Sequence, residues 1–535
     1  MGYLNQRCRM HSFLSHFILC MTCAYFLCSC GQEDSSASPL KQAIHSHNPA
    51  PRILTWPLSA PVTSFDPIEA TNIPEATVVV QIFDTLVRFD QSLSIAPGIA
   101  KRWKVDPTGR EYTFDLKAGI VFHDGSALTA TKVKLSLERL ARAGKKTFLY
   151  KHLKVIEGCE AFSEGRAQEI SGIQVLNPLQ VRIRLERPHA PFLPALSICQ
   201  AAIVSITDNP LKAEGPLNIV GSGPFVPEFA DNERIVLRPF AHFVDGAPHI
   251  DGLIFKFYNG ADIKSAAEDF LVGELSAVPM FGPVEDMLRG RTDYKMIRRL
   301  AIGLFFYGFN MHESAELTAN MRRCIAQVID KRKLFAKSKM FHLAESIIPM
   351  GLAGYRPNWI APTRNEDCNL IPSMPARIRM LSVARNSRIE TEMAYLADRL
   401  HTLGSELEVE YILDWEEFYK RLAAGDCDMF RLAWYPDTPD LDEMFFPLFH
   451  SQGEYNYFGY SNPHVDALLE QARAMSRLEE RITLYQQAEE IILHDLPAIP
   501  ISYESMDRAV KSNVHGLGWN PLGEFYTSFA SVWIE

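Results

Sequence analysis

The alternation of apolar and polar positions changes character partway along this chain. Through the first half, short strand-like runs are separated by turn dipeptides. Glu111-Tyr112-Thr113-Phe114-Asp115-Leu116 places Tyr, Phe and Leu on one face, the period-two signature of a half-buried strand. Lys117-Ala118-Gly119 and His123-Asp124-Gly125 are turn signals flanking Ile120-Val121-Phe122. Thr129 is placed to cap a helix running to about Arg142, with Val133, Leu137 and Leu140 on one stripe. Strand-like material begins at Arg52 to Leu58, and Val181 to Leu185 and Ile235 to Leu237 read as further strands. The second half alternates instead. A strand over 377–383 leads to a helix over 389–403 ending at Gly404, with Met393, Leu396 and Leu400 inward. A strand over 408–413, a helix over 416–424 ending at Gly425 and a strand over 429–434 follow. This β-α-β-α-β run predicts a parallel sheet with ligand chemistry at strand C-terminal ends. Residues 464–494 read as mostly helical, stopped by Leu496-Pro497. No repeat period is visible, which disfavours solenoids and propellers.

Length and charge narrow the class. The 535 residues correspond to two to four packed units at roughly 100–200 residues each. A chain that is 47% hydrophobic and 22% charged is globular. One long uncharged stretch, at the N-terminus, excludes a polytopic membrane protein. The net charge of -10 repels phosphate, so no nucleic-acid partner is expected.

That stretch has the layout of an export signal. Arg7 and Arg9 precede an apolar core over Phe17 to Leu27, and no charge appears until Glu33. Leu27-Cys28-Ser29-Cys30 then gives way to the polar run GQEDSSASP. Ser29 supplies the small residue before a cut, and Cys30 a thiol able to carry acyl chains. Residues 1–29 are therefore expected to be a signal peptide, with Cys30 lipidated and 30–51 a flexible tether to the membrane. A retained membrane-spanning anchor is the competing reading. Five of the ten cysteines lie at or before the proposed cut; the others (Cys159, Cys199, Cys324, Cys368, Cys427) contain no CxxC pair. A structural zinc site is not expected, and one disulfide remains open.

Among motifs with chemistry, His123-Asp124-Gly125 could mark a secreted metal-dependent hydrolase, but Asp-Gly is also a common hairpin corner. His312-Glu313-Ser314-Ala315-Glu316 is not HExxH, and Gly221-Ser222-Gly223-Pro224 has neither the P-loop lysine nor GxGxxG spacing. The segment from Leu432 to Glu443 holds four acids in seven residues beside Trp434 and Tyr435. It follows a predicted strand of the parallel sheet. It can be a solvated acidic turn, a calcium loop without EF-hand spacing, or a cleft that anchors a cation.

The order of several short motifs resembles the extracellular solute-binding proteins of the peptide/nickel class that serve ABC importers. They are Phe65-Asp66-Pro67, Ile82-Phe83-Asp84-Thr85-Leu86-Val87, Ala96-Pro97-Gly98-Ile99-Ala100, Trp103, Tyr112-Thr113-Phe114 and Val121-Phe122-His123-Asp124-Gly125. Gly221-Ser222-Gly223-Pro224-Phe225, Phe309-Asn310 with Met321-Arg322 and Ile329-Asp330, and Tyr460-Ser461-Asn462-Pro463 continue the series. The resemblance implies an α/β two-lobe periplasmic-binding-protein fold, hinge-connected, with a domain inserted in the first lobe. Its divisions fall at 52–89 (lobe I), 90–218 (inserted domain), 219–300 (lobe I), 301–500 (lobe II) and 501–535 (return to lobe I). It implies no catalysis, no metal and no cofactor, and a monomer that hands short peptides to permease subunits from the periplasm or cell surface. It further implies that Asp437 pairs with a peptide's α-ammonium, that Arg385 holds the α-carboxylate, and that Trp434 and Asn310 adjoin the ligand. A nickel chelate, haem or a sugar is the alternative cargo.

Overall fold

The computed structural model describes residues 51–205, 220–259, 262–312, 315–335, 341–359, 368 and 374–535. The proposed leader, Cys30 and nearly all of the tether lie outside the described residues.

Lobe I is built on two small sheets. Ile53–Leu58 runs parallel to Gly252–Phe257, and Arg234–Pro239 and Phe225–Ala230 extend that sheet antiparallel. Arg508–Lys511 lies between Ala277–Pro279 and Tyr294–Ile297 in the second. The glycines of Gly221-Ser222-Gly223-Pro224 have a packing reason. A Cβ at Gly223 would sit 2.6 Å from the carbonyl carbon of Ile82, at the end of the helix Ile73–Ile82. The motif lets two backbones touch.

The inserted domain is an antiparallel sheet of Ala100–Val105, Glu111–Leu116, Gln180–Arg184 and Ile173–Asn177. Its apolar face, including Tyr112, Phe114 and Leu116, packs under the helix Ala130–Ala143 through Val133, Leu137 and Leu140. Thr129 occupies the N-cap position, yet its hydroxyl makes no capping bond; position without the hydrogen bond gives only part of the usual benefit.

Lobe II carries a six-stranded sheet in the order Phe341–Leu343, Ala498–Glu504, Leu304–Phe309, Met429–Trp434, Arg377–Ser382, Glu406–Tyr411. Arg377–Ser382 is parallel to both Glu406–Tyr411 and Met429–Trp434, as the β-α-β-α-β pattern predicts. Leu304–Phe309 runs antiparallel to Met429–Trp434, so the sheet is mixed. Both faces are covered. Ile389, Met393, Leu396 and Leu400 of the helix Ser387–His401 pack on one. The helices Trp415–Ala423, Asp442–Phe449, Pro463–Ala474 and Leu478–Asp495 pack on the other. Two-sided burial explains why Met429–Trp434 has no alternating pattern. Its one charged member, Arg431, reaches Glu392 at 2.9 Å. Asn386 caps Ser387–His401 at one end, and Gly404, at φ 83°, follows the other in the left-handed region that favours glycine. Cys324 and Cys368 form a disulfide in this lobe.

Two crossings join the lobes, at 298–303 and 505–507. They pair with each other: the Ala301 amide donates to the Glu504 carbonyl at 2.8 Å and the Met506 amide to the Arg299 carbonyl at 2.7 Å. The expected return to lobe I at 501 is corrected to just after Glu504. Ala498–Glu504 pairs within the lobe II sheet up to Glu504, and an apolar run alone does not say which sheet it joins.

Candidate functional site

The acidic segment 437–443 follows the C-terminal end of Met429–Trp434 and begins the helix Asp442–Phe449. Composition favours a solvated turn here; the structure buries most of it. Asp440 accepts two hydrogen bonds from Arg481, at 2.6 and 2.8 Å. Asp442 accepts two from Arg473, at 2.7 and 2.8 Å, and one from the Tyr485 hydroxyl at 3.2 Å. Glu443 lies 3.2 Å from Lys151 Nζ and 2.9 Å from His152 Nε2, both on the inserted domain. His152 Nδ1 in turn sits 3.0 Å from His189 Nε2. Such bidentate, charge-assisted pairs are what makes buried carboxylates tolerable.

Asp437 differs. Among the described residues its carboxylate has no hydrogen-bond or ion-pair partner. Its backbone is pinned, because the Tyr526 hydroxyl donates to its carbonyl at 2.7 Å. Burial, then the negative charge of Glu443, push its carboxyl up to about 7, with Lys151 opposing. Glu443 moves the other way: against its burial, Lys151 and His152 hold it well below the ordinary carboxylate range. Two acids in one environment have thus been pushed in opposite directions, one lowered and matched by cations, one raised and unmatched among the described residues.

Asp437 lines a cavity of about 370 Å³ between the lobes. Tyr258, Phe281, Phe525, Tyr435, Arg299 and Arg508 are among its walls. This is an apolar chamber with a few charged groups, at the small end of the ~300–1,000 Å³ range of ligand pockets.

The other sequence-derived site residues are placed as follows. Trp434 ends the strand below Asp437; its indole N–H donates to the Glu443 carbonyl at 2.6 Å and its ring packs 5.1 Å from Tyr455. It fixes the turn that carries Asp437. Arg385 leaves the same sheet edge, three residues past Ser382, but is 61% exposed and held by Glu390 at 2.8 Å. It does not line the Asp437 cavity. Grouping Asn310 with Asp437 is corrected by strand direction. Leu304 is opposite Trp434 and Phe309 opposite Met429, so Asn310 lies at the far end of the strand pair. Its side chain is committed to the Gly425 carbonyl and the His312 amide, at 3.0 Å each. Arg299 and Arg508 were not legible as site residues, since only the pairing of the two crossings brings them to the cavity.

His123 and Asp124 serve structure. His123 Nε2 meets the Gly223 carbonyl at 3.0 Å, and Asp124 accepts from the Ser126 amide and hydroxyl at 2.9 and 2.6 Å. Among the described residues no group of His, Cys, Asp and Glu is arranged to hold a metal.

Comparison with known proteins gives the same architecture. The profile described as "Bacterial extracellular solute-binding proteins, family 5 Middle" matches residues 94–456. The "Dipeptide-binding protein" of Escherichia coli is 26% identical over 509 residues, covering 88% of this chain and 91% of its own. "Heme-binding protein A" of Haemophilus influenzae is 22% identical over 496 residues, covering 85% and 87%. The peptide-bound structure of the periplasmic binding protein DppA from Helicobacter pylori superposes with a TM-score of 0.72 at 22% identity, covering 90% of this chain and 98% of its own. The chain belongs to the family 5 bacterial extracellular solute-binding proteins, a family of binding proteins and not of enzymes.

Proposed function

We propose that this protein is the solute-capturing component of an ABC importer, exported and held at the membrane by lipid on Cys30, and that its cargo is short peptides. The observation that carries the reading is the state of Asp437. Of the four acids in the segment, three are matched by protein cations, and the fourth lines a cavity with no ion-pair partner among the described residues. A primary ammonium is the cation a peptide supplies. Desolvating it is unfavourable unless an opposite charge waits for it. The largely apolar walls around Asp437, Phe281, Phe525 and Ile302 among them, strengthen that charge by excluding water. Relatives named as dipeptide- and di/tripeptide-binding proteins support the same cargo class. Two crossings of a few residues each suit a hinge, so that closing the lobes on a guest presents one surface to the permease. No bond in the guest need break.

Native mass spectrometry of the processed protein, purified without unfolding, tests the cargo. Expected are mass additions that dissociate as short peptides with free amino termini. Haem, a nickel chelate or a sugar in their place would refute the peptide reading.

A further inference from the structure

Asp437 accounts for one end of a zwitterion. Two arginines lining the same cavity account for the other. Arg299, from the first crossing, is 8% exposed and has no carboxylate partner among the described residues. Its Nη1 donates to the Asn520 and Pro521 carbonyls at 3.2 and 2.6 Å, and its Nη2 meets Met506 Sδ at 2.8 Å. Arg508, just beyond the second crossing, is paired with Glu524, which also accepts from Trp56 Nε1 at 3.3 Å. Both guanidinium groups lie over one indole, Trp519, at 5.6 and 5.2 Å from its centre. Of these two buried cations, only Arg508 has a carboxylate partner among the described residues. Asp262, which also lines the cavity, is spent capping the helix Ile263–Val272 through the Ser265 amide. Nε of Arg299 and Nη1 of Arg508 are buried without an acceptor among the described residues. Burial and the neighbouring Arg299 charge pull Arg508 below its ordinary value. An uncompensated buried cation is strongly unfavourable, so its persistence beside a ligand cavity points to a counter-ion that arrives with the ligand.

We propose that Arg299 and Arg508 form the subsite that receives the carboxylate of the captured peptide. This rests on the reading of Asp437 as the ammonium anchor. It moves the carboxylate role from exposed, Glu390-paired Arg385 to the hinge. It also specifies the ligand: a compact zwitterion, of di- or tripeptide size, with both charges inside one cavity of about 370 Å³. Because Arg299 lies on one crossing and Arg508 adjoins the other, one carboxylate between them would link occupancy to the hinge itself.

The test is isothermal calorimetry of the ligand-stripped full protein with dialanine and trialanine, their C-terminal amides and their N-acetyl forms. The amides should bind roughly 30-fold or more weakly than the acids, the scale of losing one partner of a buried charge pair. Arg299→Lys keeps charge and bulk but loses the planar fork, and should shrink the acid-to-amide ratio; Arg299→Met should abolish it if it folds. Arg385→Ala should leave the ratio unchanged. Amides binding within about threefold of the acids, or loss of the ratio in Arg385→Ala, would overturn the proposal. N-acetyl forms binding as well as free amines would overturn the Asp437 reading instead, and failure of every peptide to bind would overturn both.

Discussion

Neutralising Asp437 should stabilise the ligand-free protein, and only above mildly acidic pH. Its carboxyl sits at about 7 in the folded chain, against an ordinary 3.8. The folded state thus binds this proton more tightly than the unfolded chain does. Stability from this group is greatest below the unfolded value and is lost as pH rises from about 4 to 7, since the slope of stability with pH follows the excess protons bound on unfolding. A displacement of that size corresponds to at most ~4 kcal/mol at 1.36 kcal/mol per unit. Asp437 is only half-buried, so solvent screening brings the figure to about 1–3 kcal/mol. Asp437→Asn removes the ionisation and keeps the shape. Urea unfolding of stripped wild type and variant at pH 4 and pH 8 reads the difference. The variant's midpoint should be higher by a few tenths of a molar at pH 8, with the gap closing at pH 4. A variant equal to or less stable than wild type at pH 8 would refute the argument. It would mean that the empty cleft already satisfies the carboxylate.

The same group makes capture pH-dependent: affinity for a free-amine peptide should fall about tenfold per pH unit below 7, with proton release on binding measured by calorimetry in buffers of different ionisation enthalpy. Arg473→Met leaves Asp442, which is 0% exposed, without its bidentate partner; chemical denaturation should show a loss of about 3–5 kcal/mol. Cys30→Ala should abolish incorporation of labelled fatty acid and move the protein from the membrane to the soluble fraction; continued labelling would place the lipid elsewhere.

Much of lobe II was legible because local pattern and final structure agree there. The sequence pattern places Met429–Trp434 at its observed bounds and identifies the inward residues of Ser387–His401, since helix period and glycine stops are local signals. Direction was less legible. The resemblance implies that Asn310 adjoins the ligand with Asp437, but a short motif carries no strand direction, and the antiparallel register puts Asn310 at the opposite end. The acidic segment looked solvated because the cations that bury it are distant. Arg473 and Arg481 come from two later helices, and Lys151 and His152 from the inserted domain. Asp437 stood out through resemblance, and its lack of a partner became visible only when its three acidic neighbours were seen paired. Arg299 and Arg508 sit 209 positions apart, on crossings whose pairing no local pattern encodes.

The central claim is a contact between one carboxylate and one amino group. A crystal structure with trialanine bound measures it directly. The account predicts the peptide nitrogen about 2.7–2.9 Å from an Asp437 oxygen, within the range of charge-assisted bonds, with the lobes closed around it. An occupied cleft in which that nitrogen meets another group, and Asp437 is turned away, would contradict it.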